Sequence, residues 1–141
     1  MPLQLVVYAE ACGIRIEYWD FVPPIEALYF CTPDTHPVIG LSKNLPGNKT
    51  HFRTVLAEEI GHHFTCAQDG LPKTYFHYHE RLRVCRAECR ALRWAARFLI
   101  PDDALWEAMA QGIRETWRLA EHFEVDEGLM KIRLCLEGGV V

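Results

Sequence analysis

Arg53-Thr-Val-Leu-Ala-Glu58-Glu59-Ile-Gly61-His62-His63-Phe64-Thr-Cys66 is the stretch from which the rest of the chain is read. It contains no proline, and Leu56, Ile60 and Phe64 recur at helical spacing, which predicts a helix with one apolar stripe. Glu58 and His62 lie four apart on roughly the opposite side, where their side chains converge on one point, and Glu59 flanks them. Two metal-ligating side chains at i,i+4, with a general base after the first, make the arrangement of the H-E-x-x-H helix. Here glutamate stands in place of the first histidine. Glu59 and His63 are also four apart, but that register puts Ile60 in the base position, and isoleucine accepts no proton. The Glu58/His62 register supplies both ligands and a base. Gly61 costs about 1 kcal/mol relative to alanine inside a helix, so something is expected to approach that turn closely. The competing reading of the same residues is a solvated, charged helix face.

The chain of 141 residues is long enough for one domain with a real core. A net charge of -4 argues against bulk-charge binding to nucleic acid. The N-terminus lacks the basic-then-apolar layout of a signal peptide, and no apolar run approaches the roughly 20 residues that span a bilayer. A cytoplasmic protein without membrane partners is therefore expected. The cysteines at 12, 31, 66, 85, 89 and 135 form no spaced disulfide framework, as suits a reducing compartment. Cys85 and Cys89, four apart, offer an alternative metal pair with His62 or Cys66, but no tight C-x2-C knuckle supports it.

In chain order, residues 3–12 predict a short helix closed by Gly13. Segments 14–19, 27–31 and 37–41 predict three short strands, separated by Pro23-Pro24 and Thr32-Pro-Asp-Thr35 turns. Short links between consecutive strands favour an antiparallel sheet. Thr50 is positioned to cap the helix that follows the 42–48 loop. After Gly70 comes an aromatic, histidine-rich connection, Tyr75-Phe-His77-Tyr-His79, which suits either a cleft edge or a surface loop. Helices are predicted over about 80–99, from Pro101 to about Gly112, over about 114–123, and from an Asp126 cap to Leu136.

The 80–99 helix is the second informative stretch. Glu88 falls in register with Leu92, Ala95 and Leu99 on its apolar stripe. A carboxylate buried without a partner costs several kcal/mol or protonates. Glu88 therefore needs an arginine, with Arg53 and Arg81 in reach, a hydrogen-bond network, or a metal, for which it would be the third ligand. On the opposite face Arg83, Arg86, Arg90, Arg93 and Arg97 form a single stripe. That stripe is read as solvated and paired with acidic neighbours, since residues 102–141 hold nine acidic and four basic side chains. Binding an acidic partner or phosphates is the other reading.

Taken together, these segments resemble the ImmA/IrrE family of zinc-dependent metallopeptidases, often encoded by phages and integrative elements. Leu56-Ala-Glu-Glu-Ile-Gly-His62 is similar to the family's L-A-H-E-x-G-H segment. Glu88-Cys-Arg-Ala91-Leu-Arg-Trp94-Ala95, followed by Leu99-Ile-Pro101, is similar to E-x-x-A-x-x-[FW]-A … L-x-P. Leu119-Ala-Glu-His-Phe123-Glu-Val125 is similar to the weaker L-A-x-x-F-x-V segment. The likeness spans about residues 3–137 and implies a single α+β domain. A three-stranded antiparallel sheet would pack on the zincin-like helix within about residues 1–100, with C-terminal helices over 101–137. It implies Glu59 as general base, with His62 and Glu88 as metal ligands and Glu58 at the first ligand position. Zinc is the implied metal, although a harder, carboxylate-rich site shifts preference toward manganese or iron. His63, Tyr75, His77 and His79 are the candidates to stabilise the oxyanion. The implied activity is a metalloendopeptidase that cuts a helix-turn-helix repressor of the same mobile element. The alternatives are a non-catalytic protein that keeps the fold and docks onto a repressor, and a helix-turn-helix regulator built on residues 114–136.

Overall fold

The computed structural model describes residues 2–66 and 78–138. Helix α1 (Pro2–Ala11) leads into strands β1 (Arg15–Trp19), β2 (Ala27–Phe30) and β3 (Val38–Ser42). A short 3-10 turn, Leu45–Gly47, then delivers the chain to α2 (Lys49–Cys66). Helices α3 (Tyr78–Leu99), α4 (Asp102–Ala110), α5 (Thr116–Phe123) and α6 (Glu127–Gly138) follow. Gly13 closes α1 with φ +83, a left-handed turn that an L side chain rarely adopts. The fold is α+β, as expected. No helix among the described residues is long and apolar enough to cross a membrane.

The sheet differs from the expectation in one respect. Its order is β1-β3-β2, with β2 antiparallel to β3 but β1 parallel to it. Residues 20–26 carry the chain past the neighbouring position to the far edge, so β1 and β2 form no hairpin. The turn after β2 then folds β3 back into the gap. There β3 is bonded on both sides: Arg15 N donates to Pro37 O at 2.8 Å, and Ser42 N to Glu26 O at 2.7 Å. Its Ile39 and Leu41 are fully buried, as befits a central strand.

Asn48, rather than Thr50, caps α2: its Oδ1 accepts the His51 backbone N–H at 3.1 Å. Thr50 lies inside the helix, where its carbonyl accepts the Thr54 hydroxyl at 3.1 Å. Helix α2 is the centre of the molecule, packed by α1, β2, β3 and α3. That surrounding buries Leu56, Ala57 and Ile60 together with polar residues. Phe64, expected to complete the apolar stripe, is instead 46% exposed, and its ring stacks on Trp94 of α3. One hydrophobic cluster runs from Leu5 and Ile14 through α2 and α3 to Leu119, Val125 and Met130.

The C-terminal helices are fastened by polar contacts that periodicity does not reveal. Arg133 is fully buried. Its Nε donates to Ile100 O at 2.7 Å, at the end of α3, and its remaining nitrogens meet Glu137 at 2.6 Å and Asp102. This removes one of the two basic residues of the would-be recognition helix. The other, Lys131, faces Glu127 at 3.8 Å. Arg53 of α2 donates to the carbonyls of Phe123 and Glu124, and the Asp126 backbone N–H donates to Thr54 Oγ1 at 2.9 Å.

His51 completes this brace. Its Nδ1 lies 2.6 Å from Asp126 Oδ2 and its Nε2 lies 2.5 Å from Glu26 Oε2, so one ring clamps the entry to β2 and the start of α6 onto α2. Burial works to lower the His51 pKa, but the hydrogen bonds and charges of Asp126 and Glu26 outweigh it and raise the value. A raised folded pKa means that the clamp contributes fully below the unfolded value of about 6.5 and is lost as pH rises through the folded value. His51→Gln should therefore lower the melting temperature by roughly 3 °C at pH 6, equivalent to about 1 kcal/mol for partly exposed ion pairs. At pH 9 the gap to wild type should shrink. Calorimetry across that range measures both, and a pH-independent gap would remove the ionic role.

Candidate metal centre

Gly61 explains how two helices build one site. A Cβ placed there would sit 2.5 Å from the Ala91 carbonyl oxygen and 3.1 Å from Ala91 Cα, so the backbones of α2 and α3 touch at this turn. Ala57, Ala91, Ala95 and Ala96 are all fully buried and keep the interface thin. Glu88 lies one turn before Ala91, and the close crossing carries it over to α2.

The result is a cluster of Glu58, His62 and Glu88 in which one ligand atom from each lies within 4.8 Å of the others. His62 is 7% exposed, while Glu58 and Glu88 are half-buried. His62 Nε2 is buried with no hydrogen-bond partner among the described residues, yet Glu88 Oε1 is 3.2 Å away. A ring nitrogen and a carboxylate oxygen that face each other without a hydrogen bond are placed as two donors to one cation would be. One nitrogen and two carboxylate groups also form an ordinary donor set for a divalent ion. Glu59, 1% exposed, follows Glu58 on the same helix. The polar residues of α2 are thus not a solvated face.

The protein partners considered for Glu88 fare differently. Arg53 is committed to the carbonyls before α6, and burial lowers its pKa. The Arg81 side chain lies outside the described residues, as do those of Cys66 and Cys85, and Cys89 is exposed. His63, the other histidine of the motif, turns toward the sheet: its Nδ1 shares a hydrogen bond of 2.8 Å with the Tyr29 hydroxyl. Burial lowers the His63 pKa and favours the neutral ring, and burial raises that of Tyr29. Residues 75 and 77 and the His79 side chain lie outside the described residues. Tyr29 is the site neighbour that sequence reasoning missed, because an aromatic residue in a short strand carries no signal of its partner.

Gly61→Ala should separate the two helices. The gain of about 1 kcal/mol in helix propensity is outweighed by an overpacking cost of roughly 1–3 kcal/mol against backbone that has little room to yield. The expected outcome is a lower melting temperature and weaker metal uptake as Glu88 retreats with α3. Gly128→Ala in α6, where a Cβ meets nothing within 4 Å, is the control that should lose neither.

Three comparisons with known proteins frame this geometry. The family model Peptidase_M78, described as the IrrE N-terminal-like domain, matches residues 9–135. No curated protein and no solved structure matches the chain.

Proposed function

The chain belongs to the Peptidase_M78 family, and from that membership we propose that it is a metal-dependent endopeptidase with Glu58, His62 and Glu88 as ion ligands and Glu59 as general base. The observation that carries the reading is the convergence of three donors from two helices within 4.8 Å around the buried His62 Nε2. A divalent ion bound there supplies Lewis acidity toward a water molecule and the scissile carbonyl.

The chain's own residues do the rest. Glu58 and Glu88 bring negative charge and hard oxygen donors, which shifts the preference of the site from zinc toward manganese or iron. Burial of His62 fixes its ring, so that Nε2 keeps one direction. Glu59 takes a proton from the attacking water as its oxygen bonds to the carbonyl carbon. It returns the proton to the leaving nitrogen as the C–N bond breaks. The substrate we propose is a protein, a helix-turn-helix repressor of the same mobile element, on the strength of the family likeness.

Elemental analysis of protein purified without chelator should find about one equivalent of zinc, manganese or iron in wild type, and Glu88→Ala should lose most of it. Glu59→Gln should keep the ion and cleave at least roughly 100-fold more slowly. Wild-type cleavage by Glu59→Gln under metal-replete conditions would refute the mechanism. Failure of wild type to take up any of the three metals would refute the site.

A further inference from the structure

The arginine stripe was expected to be paired with the acidic C-terminal segment, and for three of its members the described residues give no such pair. Arg86, Arg93 and Arg97 are exposed and form no ion pair among the described residues. Five of the nine acids of the C-terminal segment are engaged elsewhere: Asp102 and Glu137 with Arg133, Glu127 with Lys131, Glu115 with Arg118, and Asp126 with His51. The stripe also borders a cavity. A groove of about 480 Å³ is lined by Thr65, Arg90, Arg93, Trp94, Arg97 and Phe98. Its floor is aromatic, with Trp94 stacked on Phe98 at 4.7 Å and on Phe64 at 5.1 Å.

The groove is separate from the metal centre by helix geometry. With Ala91 facing Gly61, about 100° per residue puts Glu88 roughly 60° to one side of that contact and Trp94 roughly 60° to the other. Arg90, Arg97 and Arg93 lie further round on the Trp94 side. Glu88 is the one acidic residue between Arg86 and Leu99, so this face of α3 is cationic throughout.

We propose that this groove docks an acidic helical segment of a partner protein, with carboxylates spaced four residues apart and an aromatic or long aliphatic side chain between them. The exposed arginine guanidinium groups at positions 93 and 97 repeat at that spacing and match carboxylates in a two-pronged geometry. The stacked rings beneath provide the apolar contact that gives such a segment an anchor, the aromatic-and-arginine composition typical of binding hot spots. A net charge of -4 on the whole chain opposes the approach of a nucleic acid polyanion, whereas a short acidic segment meets only the local cationic face.

Fluorescence anisotropy of the full chain tests this with three labelled probes. One is a helical peptide of about 16 residues carrying Glu at the stated spacing with Leu and Phe between. The second is the same peptide with every Glu changed to Gln, and the third is a short DNA duplex. Wild type should bind the Glu peptide at least about tenfold more tightly than the Gln peptide, and Arg93→Glu with Arg97→Glu should lose that preference. Should charge reversal unfold the chain, as circular dichroism would show, Arg93→Gln with Arg97→Gln takes its place. Equal binding of the two peptides, unchanged binding by the variants, tighter binding of DNA, or no binding of the Glu peptide would each overturn the proposal. The assay reads binding without cleavage, so its result stands apart from the peptidase reading.

Discussion

The contact between the backbones of Gly61 and Ala91 sets the geometry on which the candidate metal centre depends. Helices packed through ordinary side chains hold their axes about 8–10 Å apart. At Gly61 no side chain intervenes, and the Ala91 carbonyl occupies the space that a Cβ would need. Buried alanines on either side, at positions 57, 95 and 96, let the rest of the interface follow. A glutamate one turn before Ala91 is thereby brought within 3.2 Å of a histidine next to Gly61. A larger residue at position 61 would alter a distance at the site as well as a packing density. The glycine's cost in helix propensity is offset by the convergence it allows.

A site built across two helices needs both helices held, and the C-terminal half of the chain does this through polar contacts. Arg53 and Thr54 fasten α2 to the turn between α5 and α6, and His51 adds the Asp126 and Glu26 carboxylates on either side of its ring. Arg133 fastens α6 to the Ile100 carbonyl, just past the end of α3. Each of these contacts satisfies a backbone or charged group at an element end, where desolvation without a partner would cost about 1–3 kcal/mol. The bracing therefore resolves polar groups that folding would otherwise strand, and fixes the relative position of α2 and α3 in doing so.

What was legible in the sequence follows the range over which each signal acts. The motif helix, the glycine that invites a close neighbour and the carboxylate out of place on an apolar stripe are local anomalies. Reading Glu88 beside Glu58 and His62 required only that these anomalies share one explanation. Strand order was not legible, because inserting β3 between β1 and β2 is decided by the path of residues 20–26 and by pairing across the sheet, not by alternation within any strand. Nor was the identity of the α2 cap: Asn48 and Thr50 are both good capping residues, and the start of the helix chose between them. The burial of Arg133 was not legible either, since nothing in its own helix announces that Ile100 O and two carboxylates enclose it. Phe64 read as core because its spacing was right, but α1 and α3 leave that edge of α2 open, with the ring stacked instead of buried.

Helix α3 shows how one element carries two chemistries without mixing them. Its contact with α2 at Ala91 divides the surface of the helix into two sides. Glu88 falls on one side and Trp94, Phe98, Arg90, Arg93 and Arg97 on the other, and a period of 3.6 residues keeps each set in line along the axis. The division matters electrostatically. Arginines on the Glu88 side would compete with a divalent cation for the Glu58 and Glu88 carboxylates, since an opposite charge within about 4–6 Å stabilises an ionised carboxyl as effectively as a weakly held ion. Placed across the contact, Arg93 and Arg97 lie away from the cluster and present their charge to solvent. On the proposed reading, in which Glu88 serves a metal, the stripe of positive charge sits on the side of α3 turned away from that carboxylate, where it does not compete for it.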